Sequence, residues 1–178
     1  MNVLLVGNGP SAMEGGHGDE IDAFDGLVVR FNKCVFNDEV GHRIDIWVTW
    51  GEQGFFRDIE QSRTLLTMCP RHADEEAKLF VRNHGDNPTV TRITNETDRG
   101  VRKYIGHPSS GALATAHFLR DPEVDGVFIY GFDHFSARKH HYWSTVKDEV
   151  HGHDPYREAL WFNNLIKQGR ITRWKPNE

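Results

Sequence analysis

Apolar residues along the chain fall in short blocks separated by polar or helical stretches. Val3-Leu4-Leu5-Val6 and Val127-Phe128-Ile129-Tyr130 are apolar at every position, which suits inner strands covered by helices on both faces. The pattern predicts strands at Asn2–Gly7, Leu27–Phe31, Ile44–Trp50, Thr64–Cys69, Val90–Thr94 and Gly126–Gly131, and a last one at Arg170–Trp174. Helices are expected at Ala73–His84, Ser110–Arg120 and Pro155–Gln168, while the polar stretch Asn83–Asp98 is expected to hold a mobile loop. The last helix carries its own boundaries: Asp154 can cap it, Pro155 fits its first turn and Gly169 fits the residue beyond its C-cap. Strands alternating with helices predict an α/β fold, a three-layer Rossmann-like sandwich around a mostly parallel sheet.

Composition narrows the class. At 178 residues, against about 100–200 for a usual unit, residues 1–178 are expected to form a single domain. The 21 Lys+Arg against 26 Asp+Glu leave a net charge of −5, which argues against a nucleic-acid surface. No run approaches the ~20 apolar residues of a membrane helix. The opening residues lack a basic segment, so neither a transmembrane segment nor a signal peptide is expected. Two cysteines, Cys34 and Cys69, exclude a disulfide framework and make a reduced, cytoplasmic chain the default expectation.

Three stretches carry candidate chemistry. Gly7-Asn8-Gly9-Pro10-Ser11-Ala12 follows the first strand and has the letters of a dinucleotide turn. The glycines at 15, 16 and 18 make a poor helix after it, and Arg30-Phe31-Asn32 stand where an acidic ribose ligand is needed, so an NAD site is disfavoured. A turn that offers amides and the Asn8 side chain to a nucleotide stays open, beside a tight turn with no ligand. Pro108-Ser109-Ser110-Gly111-Ala112 opens a helix with hydroxyls and free amides that suit a phosphate, or serve as an ordinary serine cap. The strand after it ends in Tyr130-Gly131-Phe132-Asp133, and in open α/β sheets ligands sit beyond such carboxyl ends. Five histidines, His134, His140, His141, His151 and His153, follow within twenty residues. They suit acid–base work near neutral pH. The alternative is a metal site, as in a metal-dependent hydrolase, though no His-Glu-x-x-His or Cys-x-x-Cys spacing supports one.

Taken together, the blocks resemble the sialyltransferases, in particular glycosyltransferase family 29. The family's large motif resembles Val6-Gly7-Asn8-Gly9, Gly18-Asp19-Glu20-Ile21-Asp22, Val29-Arg30-Phe31-Asn32 and Val40-Gly41-His42-Arg43-Ile44-Asp45 in order. Its small motif resembles Pro108-Ser109-Ser110-Gly111 through Ile129-Tyr130-Gly131-Phe132, its third motif His141-Tyr142-Trp143, and its very small motif His153 with Glu158. Gly7-Asn8-Gly9-Pro10-Ser11 is also similar to the opening of the bacterial family 42 sialyltransferases, a comparison that places His151, not His153, at the catalytic histidine. Secretory members of family 29 carry a membrane anchor and a disulfide joining the large and small motifs. With no cysteine in 109–132 that bridge has no counterpart here, and a bacterial or viral cytoplasmic version fits better.

The resemblance implies a single-domain, GT-A-like variant of the fold. It implies inverting, metal-independent transfer of a sugar, sialic acid in the family, from a CMP-activated donor to the hydroxyl of a glycan acceptor, without a cofactor. His153 would be the general base and His141, beside Tyr142, would stabilise the departing phosphate. Asn8, Gly9, Ser11 and Asn32 would meet the nucleotide and its phosphate. Ser109, Ser110 and Gly111 would hold the donor, Gly131 would leave room for it, and Glu158 would anchor a loop or orient the histidine. A non-catalytic nucleotide-binding module and an NAD(P) oxidoreductase are the competing assignments.

Overall fold

The computed structural model describes residues 1–49, 64–67, 78, 80, 81, 89–134 and 153–176. Seven strands, β1 (Asn2–Val6), β2 (Leu27–Phe31), β3 (Ile46–Thr49), β4 (Thr64–Thr67), β5 (Thr89–Arg92), β6 (Gly126–Tyr130) and β7 (Thr172–Arg173), form one sheet in the order β5-β4-β3-β2-β1-β6-β7. Every neighbouring pair is parallel. The helices whose bounds lie among the described residues are α1 (Gly18–Asp22), α2 (Asn95–Ile105), α3 (Ser110–Phe118) and α4 (Pro155–Lys167), with a 3₁₀ turn over Pro10–Met13.

The apolar runs behave as their pattern requires, alternate residues going to opposite faces. Val3, Leu5, Val29, Phe31, Val48 and Leu66 share one core with Val101 and Ile105 of α2, Leu113 and Phe118 of α3 and Phe162 and Leu165 of α4. Leu4, Val6 and Val28 pack with Ile21 of α1 in a second cluster, and Trp47 and Leu65 join Phe80 in a third. The two edges are short, and the residues of β7 are exposed. Such edges offer little for another chain to pair with.

Most elements fall where the hydrophobic pattern puts them, with trimmed ends. The strand expected at Ile44–Trp50 spans Ile46–Thr49, and Trp50 lies outside the described residues, as do Cys69 and all but Lys78, Phe80 and Val81 of the expected Ala73–His84 helix. The strand expected at Val90–Thr94 spans Thr89–Arg92 as β5. The polar stretch Asn83–Asp98 also holds the start of a helix that the pattern does not predict: α2 begins at Asn95, with the Thr94 hydroxyl accepting from the Thr97 N–H at 3.1 Å.

The strand order places the site. The chain runs outward from β1 to β5 and then crosses to the other side of β1, so the order reverses between β1 and β6. At such a switch point the connections leave in opposite directions and open a crevice outside the carboxyl ends of the strands. Here the backbones stay joined past the strands: Gly7 N–H donates to the Tyr130 carbonyl at 2.7 Å and Gly9 N–H to the Gly131 carbonyl at 2.9 Å. Gly131 has φ +70°, and a Cβ on it would lie 2.7 Å from that of Ala12. Gly169, beyond the end of α4, has φ +67° and open space around it.

These two glycines predict different costs. Gly169→Ala meets only the left-handed backbone penalty, about 1 kcal/mol, whereas Gly131→Ala adds overpacking against Ala12 and is expected to lose about 3 kcal/mol. Urea denaturation measures both, and equal losses would show that the Ala12 contact is not what requires glycine at 131.

Candidate functional site

The crevice is bounded by the carboxyl ends of β1, β2 and β6 and by the amino-terminal ends of α3 and α4. From β2 comes Asn32, whose backbone has φ +47°, a conformation uncommon for a residue with a side chain. Its backbone is fixed on both sides: its N–H donates to the Val48 carbonyl at 2.8 Å and its carbonyl accepts from Trp47 Nε1 at 2.8 Å. The Asn32 amide Nδ2 donates to Ser110 Oγ at 3.1 Å, joining the end of β2 to the start of α3. Its Oδ1 is buried and accepts no hydrogen bond among the described residues. A buried amide oxygen without a donor is costly, and left-handed backbone at a strand end concentrates where a ligand supplies the missing partner.

From β1 comes Asn8, whose Nδ2 donates to the carbonyls of Phe31 (2.9 Å) and Lys33 (3.2 Å) and so ties the loop after β1 to the loop after β2. Among the described residues neither the Asn8 backbone N–H nor its side-chain oxygen makes a hydrogen bond. Ser11 is committed elsewhere. Its N–H donates to Asp133 Oδ2 at 2.9 Å, and its hydroxyl forms a short hydrogen bond to Asp133 Oδ1. Burial raises the Tyr130 hydroxyl above its ordinary pKa, and the carboxylates of Glu14, Glu20 and Asp133 push the same way. The phenol therefore stays neutral and donates to the Glu14 carbonyl at 3.1 Å.

The start of α3 is joined to the start of α4. Ser109 caps α3, its Oγ accepting from the Ala112 N–H at 3.2 Å. The same serine gives its N–H to Glu158 Oε2 at 2.8 Å and its hydroxyl hydrogen to Oε1 at 2.7 Å. Glu158, in the first turn of α4, is 4% exposed, and its two charge-assisted bonds offset the loss of hydration. A carboxylate at this position also complements the positive end of α3. Beside it lies His134, with φ +48°, its Nδ1 3.8 Å from Glu158 Oε1 and its ring 4.8 Å from that of Phe162. Nε2 of His134 is buried and makes no hydrogen bond among the described residues. His153, partly buried, precedes the α4 cap, and Asp154 N–H donates to the His107 carbonyl at 3.4 Å, which holds that end of the chain near the start of α3.

The structure thus brings Asn8, Gly9, Ser11, Asn32, Ser109, Ser110, Gly111, Gly131, His153 and Glu158 to one end of the sheet. Their partners refine the expectations. Ser109 has both donors spent on Glu158, so the hydroxyl and amides left to the crevice at the start of α3 belong to Ser110 and Gly111, both of them buried. Glu158 bonds Ser109 at the cap of α3, and the histidine set against it is His134. Gly131 is required by Ala12 and by its own backbone. His140, His141, Tyr142 and His151 lie outside the described residues. Asp133 and His134 take part without having been singled out as site residues, since no spacing signals a carboxylate that reaches across to residue 11. A dinucleotide site meets two obstacles: only a four-residue 3₁₀ turn follows β1, and Asp133 holds Ser11 where a pyrophosphate would need donors.

No protein-family model and no curated protein sequence matches the chain. Solved structures do. A mammalian sialyltransferase superposes with a TM-score of 0.66 at 21% identity, over 98% of this chain and 68% of that one. A mammalian sialyltransferase in complex with Gal-β-1-3GalNAc-ortho-nitrophenol gives 0.66 at 22% identity, over 98% and 69%. The sialyltransferase CstII from Campylobacter jejuni, in complex with the substrate analogue cytidine-5'-monophosphate, gives 0.61 at 16% identity, over 100% and 82%. At these identities what is shared is the fold: the chain has the α/β, GT-A-like architecture of the sialyltransferases.

The Ser109–Glu158 junction predicts its own energetics. Glu158→Ala strands the Ser109 amide in a partly buried position and is expected to cost about 1–3 kcal/mol, with Glu158→Gln, which keeps an acceptor, losing less. Urea midpoints compare the two, and an unaffected Ala variant would remove the junction from the stability of the fold.

Proposed function

We propose that this chain is an inverting, metal-independent glycosyltransferase that moves a sugar, sialic acid, from a CMP-activated donor to the hydroxyl of a glycan acceptor, with a histidine as general base. The observation that carries this is Asn32: a left-handed residue at the switch-point crevice, bonded to the start of α3, with a buried acceptor that has no donor among the described residues. The amino and hydroxyl groups of a cytidine nucleotide are donors of the kind that acceptor lacks. The fold is shared with a sialyltransferase bound to cytidine-5'-monophosphate and with one bound to a glycan acceptor analogue, which supports the same pair of ligands here.

The chain's residues divide the work as follows. Asn8 and Asn32, with Ser110 and Gly111 at the start of α3, hold the nucleotide and its phosphate, the helix terminus favouring negative charge. His153 takes the proton of the acceptor hydroxyl as that oxygen forms its bond to the anomeric carbon. The bond from that carbon to the phosphate oxygen breaks in the same displacement, which inverts the centre and releases CMP. His141, with Tyr142, stabilises the charge on the leaving phosphate. A phosphate leaves as an anion without needing an acid to protonate it, so a base and a set of phosphate donors suffice.

Calorimetry with CMP, UMP, GMP and NAD, in EDTA, is the direct test, and selective CMP binding is expected. Failure to bind any nucleotide would overturn the assignment, and CMP binding without donor breakdown would identify a non-catalytic module. His153→Ala is expected to lower turnover by ~10²–10⁴ while CMP binding persists. If that variant keeps full activity and His151→Ala loses it, the base is His151.

A further inference from the structure

We propose that Asp133 restricts this site to nucleoside monophosphates by filling the place where the second phosphate of a diphosphate would be held. The inference rests on the nucleotide assignment above and adds a specificity-determining residue to it. In the turn after β1, the amides of Gly7 and Gly9 are used by the carbonyls of Tyr130 and Gly131, and that of Ala12 by Gly9. Pro10 has none. The N–H and hydroxyl of Ser11 are both taken by the Asp133 carboxylate. The Asn8 amide remains as the backbone donor from Gly7 to Ala12 with no hydrogen bond among the described residues, which serves one phosphate.

The carboxylate is held tightly against the turn. A Cβ on Gly9 would overlap both Asp133 Oδ2 and the carboxylate carbon, so glycine at 9 is what lets the side chain reach Ser11. Asp133 itself follows β6 directly, where Gly131 turns the chain across the end of β1. An anionic group with two donors already occupies the ground that a pyrophosphate takes in a dinucleotide turn. For a diphosphate to bind there it must displace a charge-assisted pair of hydrogen bonds and place its own charge beside a carboxylate.

The test compares CMP with CDP by calorimetry on the full chain, in EDTA. The unsubstituted protein is expected to bind CMP at least about tenfold more tightly than CDP, the scale of one charge-assisted hydrogen bond. Asp133→Ala frees both Ser11 donors and should bring the two affinities within about threefold of each other. Asp133→Asn removes the charge but keeps an acceptor for the Ser11 N–H, so it should fall between them. It also decides the matter if the Ala variant does not fold: a CDP-to-CMP ratio unchanged in Asp133→Asn then overturns the proposal. The proposal also fails if the unsubstituted protein binds both nucleotides equally, or if a folded Asp133→Ala variant keeps the original preference. A protein that binds neither nucleotide overturns the nucleotide assignment itself, and this inference with it.

Discussion

The close approach of two backbones past the ends of β1 and β6 is the constraint on which the rest of the site depends. Gly7 and Gly9 donate to Tyr130 and Gly131 in a region where strands normally part, and side chains at these positions would force them apart. Because the chains stay together, Asp133 arrives over the turn after β1 and His134 arrives beside α4. Because β2 lies on the other side of β1, Asn8 can reach the carbonyls of Phe31 and Lys33, and Asn32 can reach α3. The crevice is thus a product of sheet order and of backbone contact, more than of any one loop.

Two carboxylates stand where anions could have been received. Asp133 closes the turn after β1, and Glu158 takes the N–H and hydroxyl of the α3 cap. What they leave open is chemically mixed: an amide N–H and amide oxygens from Asn8 and Asn32, and the hydroxyl and amides of Ser110 and Gly111. A surface of that kind suits a ligand with donors of its own and a modest charge, which is the character of a cytidine monophosphate. The buried Nε2 of His134 and Oδ1 of Asn32 add polarity that the described residues do not satisfy.

Much of the fold was legible because the inner strands are apolar at successive positions and the last helix is bounded by Asp154, Pro155 and Gly169. Helix α2 was not, since its first six residues, Asn95 to Gly100, are polar or glycine. Its buried face consists of Thr97, Val101 and Ile105 alone, and three of its charges have partners, Asp98 with Arg102 and Glu96 with Arg120. At the site, Asn8, Asn32, Ser109, Ser110 and Glu158 were visible as residue types at turns and helix starts. What each one bonds to was not. The Asp133–Ser11 pair joins residues 122 apart in sequence, and only the sheet order decides that they meet.

That separation bears on how the protein is made. β1 precedes both of its partners in the chain, and its edge toward β6 stays unsatisfied until residues 126–130 have been synthesised. Contacts of such long range are slow to form, and a hydrophobic central strand with an open edge invites pairing with other chains in the meantime. β1 therefore has one edge unpaired throughout the synthesis of the residues between it and β6. The crevice at the β1–β6 junction closes only once β6 is made, which makes it a late product of folding as well as the place where the chemistry is expected.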